Sequence, residues 1–197
     1  MSLDAAAYQR AAARFGETIV ELADEEWELT THPDDWTVIT TVAWVVVGDA
    51  QLSSAAAGEA LQSVGEFDAA VLGGNPVAAW RGTAVGAIGA LRDIDLAGTI
   101  VPHEQGPILL GDLLAQRISE NLVRAWDIGQ ATGRPVELPE DLVDGCLDFW
   151  AEHADAVLAG VGGTWPGCRA AVSVDADAGA CERAATTTAA DTFRADS

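Results

Sequence analysis

Gly111–Gly133 reads GDLLAQRISENLVRAWDIGQATG, and the fold turns on this stretch. Leu113, Leu114, Ile118, Leu122, Val123, Ala125, Trp126 and Ile128 make it strongly apolar. Set into that background, Arg117, Glu120, Arg124 and Asp127 step by three, four and three residues. Such steps put four charges of alternating sign on one face of an α-helix. Gly133, two residues before Pro135, supplies a stop. A charged stripe on so apolar a helix has two readings. One is the solvated face of an amphipathic helix. The other is the polar lining of an internal pocket, which requires the charges to pair with one another.

Working outward, helical periodicity recurs on both sides. Residues 4–23 place Tyr8, Ala12, Phe15, Ile19 and Leu22 at helical spacing behind a capping Asp4. Trp27 falls in a following loop. Residues 37–62 read as a second helix, with Asp34 or Asp35 able to cap it. The β-branched run from Thr37 to Val47 also permits a strand, but the Ala-rich continuation to Leu61 favours one long helix. Residues 63–74 form a Gly-rich connection with room for a short helix. Asn75-Pro76 opens a third helix to about Arg92. Loop follows over 93–107, with Thr99–Val101 as a briefly extended segment, and the fourth helix spans about 108–132. Pro139-Glu140-Asp141 opens a fifth, to about 159. After the break at Gly160–Gly167, Arg169–Val174 has a strand pattern and 178–190 a weak helical one. The expected fold class is mainly all-α: a four-helix bundle plus a fifth helix over residues 1–160, and a small α+β appendage over 161–197. Bundles build their sites between facing helices, so the second and fourth helices are the place to look.

Composition narrows the function. The 197 residues are 49% hydrophobic, enough for a core, and carry a formal net charge of −21. All ten basic residues are Arg, which fits a GC-rich genome or a high-salt cytoplasm. The acidic field repels phosphate backbones, so nucleic-acid binding is not expected. Cys146, Cys168 and Cys181 are odd in number and lack a C-x-x-C pair, which points to a reducing compartment. There is no signal-peptide pattern at Met1–Asp4, and the longest apolar run, about Val42 to Gly48, falls short of a membrane span. These observations predict a soluble, cytoplasmic protein without membrane attachment.

Three stretches resemble one family. Glu120–Gly133 (ENLVRAWDIGQATG) is similar to the pattern E-x-x-x-H-x-W-D-h-a-x-A-x-G, with h apolar and a small, of the mycothiol-dependent maleylpyruvate isomerase-like branch of the DinB superfamily. Pro33–Val38 (PDDWTV) with Val42–Gly48 (VAWVVVG) resembles that family's P-x-x-W-T-V-x-x-h-h-x-H-h-h-x-G. Arg134–Leu142 (RPVELPEDL) resembles the loop and helix start that follow. The likeness covers about residues 4–160. It implies a DinB-like bundle, an actinobacterial source, a monomer or homodimer, and chemistry with the thiol cofactor mycothiol.

It also implies a metal site that this chain has lost. In typical members a His from the second helix joins a Glu and a His four residues later on the fourth, holding a divalent metal, usually zinc, with an open position for a thiol or water. Glu120 matches the Glu, as a remnant ligand. Trp44 stands at the first His position and Arg124 at the second. An indole N–H only donates, and a guanidinium stays protonated, so neither ligates a metal. Zinc is therefore not expected, unless His32, His103 or His153 rebuilds a site. Arg124 is instead expected to pair with Glu120 where the metal cation would have been, with Trp44 filling the first imidazole's space and stacking on the guanidinium. Trp44, Glu120, Arg124 and Asp127 are the candidate pocket; no catalytic residue is assigned.

The remaining constellations are weak. No phosphate loop, dinucleotide fingerprint or nucleophile elbow is present. Cys146, among Leu142, Val143, Leu147 and Phe149, reads as a core thiol. Glu25-Glu26 and Asp34-Asp35 read as solvated charge or caps, and most of the seven Trp as core. Three functions remain: a metal-free small-molecule-binding or regulatory relic, an isomerase or S-transferase still using mycothiol, and a structural or oligomerising bundle.

Overall fold

The computed structural model describes residues 2–32, 36–61, 69–102 and 107–158. It is mainly helical, with five α-helices and one two-stranded sheet among these residues. The first helix, α1 (Ala5–Val20), starts where the Asp4 carboxylate accepts from the N–H groups of Ala6 and Ala7. It buries Tyr8, Ala12, Phe15 and Ile19. It ends three residues before the expected Ala23, and the chain turns into a 3-10 helix, Asp24–Glu28, that carries Trp27.

The second helix, α2 (Val38–Ala56), takes the β-branched run as helix, not strand. Its cap is Thr37, whose hydroxyl accepts from Thr40 N–H. That corrects the expectation of Asp34 or Asp35, which lie outside the described residues. α2 stops at Ala56 instead of residue 62, because Ala57 and a left-handed Gly58 turn the chain. By length and apolarity α2 would suffice to cross a membrane, although the short apolar run suggested otherwise. Burial of Val38, Val42, Val45 and Leu52 in the core accounts for that apolarity.

A 3-10 helix, Ala69–Leu72, occupies the Gly-rich connection. Asn75 then caps α3 (Pro76–Ala90) through Ala78 N–H. Thr99–Val101 is extended in part: β1 (Ile100–Val101) pairs antiparallel with β2 (Ile108–Leu109), register Ile100 to Leu109. The second strand was not anticipated, because two residues carry no periodic signal. β2 runs straight into α4 (Leu110–Thr132), which Gly133 terminates at φ 68°. The last helix is α5 (Glu140–Leu158). The expected appendage over 161–197, including Cys168, Cys181 and Trp165, lies outside the described residues.

α4 is the hub. It packs against α1, α2 and α5, while α3 closes the far side against α1 and α2. Leu110, Leu114, Ile118, Leu122 and Ile128 of α4 are fully buried between them. At about 1.5–3 kcal/mol for each buried aliphatic side chain, this seam is a main source of stability. Two forked ion pairs tie the periphery. Arg10 of α1 meets both oxygens of Asp141 on α5, at 2.6 and 2.7 Å. Arg134, past the end of α4, meets both oxygens of Glu26 at 2.7 Å and donates to Glu21 O. Glu26 is thus half-buried and engaged, and its carboxylate also accepts from Ala23 N–H, the capping role its sequence context allowed. Of the described tryptophans only Trp44 and Trp80 are buried; Trp27, Trp36, Trp126 and Trp150 are half-buried, against the expectation that most were core.

Candidate functional site

The stripe on α4 points inward. Arg117, Arg124 and Asp127 are buried and Glu120 is half-buried. Around it lie two polar clusters, one toward each end.

The first cluster is the candidate pocket. The chain before α2 folds back on itself: Thr31 N–H donates to Trp36 O at 2.7 Å, Val38 N–H donates to Leu29 O, and the Thr31 and Thr41 hydroxyls meet at 3.0 Å. These contacts hold Trp36 beside α2, with its ring centroid 5.5 Å from that of Trp44. Trp44 Nε1 donates to Glu120 Oε2 across the α2–α4 gap at 3.1 Å. Arg124 Nε donates to the same oxygen at 3.2 Å, and Arg124 Nη1 donates to Asp127 Oδ2 at 2.9 Å. Trp44, Glu120, Arg124 and Asp127 therefore converge. The guanidinium lies over the Trp36 ring, 5.1 Å from its centroid. The sequence reading gave the stacking role to Trp44; Trp36 fills it, while Trp44 supplies a hydrogen bond. The W-T-V motif contained the missed residue, but nothing in it said that the loop returns onto α2.

Zinc does not fit this donor set. One carboxylate oxygen already accepts from an indole and a guanidinium, and neither of those is a Lewis base. Among the described residues no three His, Cys, Asp or Glu side chains come together as a metal would need. His32 is exposed. His153 is engaged where α5 meets α4: Nδ1 lies 2.8 Å from Phe149 O, Nε2 lies 3.8 Å from Asp112 Oδ1, and the ring packs on Phe149. His103 lies outside the described residues.

The second cluster was not anticipated. Asp49 of α2 is fully buried, with Arg117 Nε 3.7 Å and Asn121 Nδ2 3.4 Å from its Oδ1. Tyr8 of α1 faces the same carboxylate. Burial pushes the Asp49 carboxyl up to about 6, against the pull of Arg117 and of Tyr8 and Asn121 beside it. Burial, with the Asp49 charge, also raises the Tyr8 phenol. The available signal was weak: a lone Asp inside an apolar helix, and an Asn four residues after Arg117.

Cys146 is the core thiol expected. It is 1% exposed, and burial pushes it up to about 11, with Ser119 pulling the other way. It is not a nucleophile in this setting. No family model, curated protein or solved structure matches this chain.

Proposed function

We propose that this chain is a metal-free counterpart of the DinB-like, maleylpyruvate isomerase-type proteins, binding a small molecule between α2 and α4 where its relations would hold a metal. One observation carries the reading: the Arg124 guanidinium sits between Glu120 and Asp127 and over Trp36. It provides a fixed cation among carboxylates, with no need for an ion. The resemblance in W-T-V and W-D-I-G supports the same view.

The charges at the site define what it would take. Glu120 and Asp127 outnumber Arg124, so an anion must compete with two carboxylates already in place. The solvent-facing edge consists of the Trp36 ring and the Glu120 carboxylate, both half-buried. A flat neutral ligand with a hydrogen-bond donor suits that edge. Thiol transfer with mycothiol is less well supported, because Arg124 must leave both carboxylates before it stabilises a thiolate. A structural role is the second reading, favoured by the Trp44–Glu120 bond that joins α2 to α4. In either case we propose a cytoplasmic monomer or homodimer without nucleic-acid partners.

Elemental analysis of purified protein, with melting curves under added zinc and under chelator, tests the metal-free claim. The expected outcome is no stoichiometric metal and no shift; bound zinc overturns it. Calorimetry with benzamide and with mycothiol then separates the readings. Benzamide binding that is lost in Glu120→Gln supports the pocket. Mycothiol binding and turnover support the enzyme, and silence toward both supports the structural bundle.

A further inference from the structure

We infer that Tyr8, Asp49, Arg117 and Asn121 form a built site for one small neutral hydrogen-bonding molecule, a resident water, that bridges α1, α2 and α4. The four side chains come from three helices, and their residues are 0, 0, 4 and 0% exposed. Five of their atoms are buried without a hydrogen-bond partner among the described residues: Tyr8 Oη, Asp49 Oδ2, Arg117 Nε, Arg117 Nη2 and Asn121 Oδ1. Leaving one such group unanswered costs about 1–3 kcal/mol, and five together amount to a large part of a domain's stability. The set is balanced. Arg117 offers two donors, Asp49 and Asn121 offer two acceptors, and the Tyr8 hydroxyl does either. A buried water makes about three hydrogen bonds of both kinds, which this set supplies.

Charge and burial fix the class. Asp49 and Arg117 already offset each other at 3.7 Å, so an added ion of either sign would stand uncompensated in the core. The residues are closed to solvent, so a larger molecule would have to part the helices. The backbone is shaped for the cluster as well. A Cβ at Gly48 would collide with the guanidinium of Arg117, so glycine at that position leaves the arginine its seat.

Water-selective NMR on the labelled full chain tests this, looking for cross-peaks from the Arg117 Nε–H to a long-lived water. A crystal structure reads the same point as a density peak within hydrogen-bond distance of at least three of the five atoms. Both are expected. Absence of the cross-peak and the peak, with Tyr8 and Arg117 repacked directly onto Asp49, overturns the proposal. Tyr8→Phe removes only a hydroxyl and is expected to lower the melting temperature by about 2–4 °C while weakening the Arg117 cross-peak. A melting temperature unchanged or raised in Tyr8→Phe shows that the hydroxyl has no partner, and also overturns it.

Discussion

Arg124 and Arg117 lie two turns apart on one face of α4, and their surroundings differ in kind. Arg124 is ion-paired to two carboxylates, lies over an indole, and shares Glu120 with the Trp44 N–H. Arg117 faces a single, fully buried carboxylate at a distance longer than a hydrogen bond, with Tyr8 and Asn121 beside it and several atoms unanswered. The first cluster lies near solvent, where Glu120 keeps some exposure; the second lies between three helices. A cluster at the rim can be closed by side chains of two helices and a neighbouring loop. A cluster at the centre of the bundle depends on what three separate helices bring to it, and its charge is held in a medium that favours the neutral form.

The contrast can be broken most severely at its deep end. Arg117→Met leaves Asp49 buried without a counter-charge, and urea unfolding at pH 7 is expected to show a loss of about 3–5 kcal/mol. Arg124→Met strands the buried Asp127 but lets the half-buried Glu120 regain water, so it should cost less, about 2–3 kcal/mol; Trp36 and Trp44 fluorescence would report the rearrangement. If the two losses come out equal, the difference in depth is not what separates the clusters.

Asp49→Asn sharpens the comparison through pH. The folded carboxyl titrates at about 6, above its ordinary 3.8, so the folded chain holds a proton that the unfolded chain releases. That contribution is full below about 3.8 and is lost as pH rises through 6. Unfolding free energies from pH 4 to pH 7 should therefore fall in the native protein relative to Asp49→Asn, by about 1–3 kcal/mol across the window. The smallest expected change is at the shallow cluster. Trp44→Phe removes one N–H donor to a charged acceptor and should cost about 1–2 kcal/mol, most of which disappears when Glu120→Gln is already present in a double-mutant cycle.

How far the sequence reached depended on whether the signal was local. The helices were legible, since Asp4, Asn75-Pro76 and Gly133 act within a turn of their own backbone. So was the pairing of Glu120 with Arg124, because i, i+4 spacing on one helix is a property of the sequence. The end of α2 was missed by six residues, because the apolar pattern continues past the point where Gly58 turns the chain. Trp36 was assigned no role, because its place over Arg124 comes from the Thr31–Trp36 return, a contact between segments.

By itself, then, the sequence determined a helical chain, where most of its helices begin, and which charges share the face of α4, because all of these follow from neighbours a few bonds away. Only the tertiary structure decided that this face is buried, that Trp36 caps Arg124, and that Tyr8, Asp49 and Asn121 gather round Arg117. Those outcomes bring together residues from different helices, up to 113 positions apart between Tyr8 and Asn121 (121 − 8). No local spacing encodes such a meeting; it is set by how α1, α2 and α4 pack against one another.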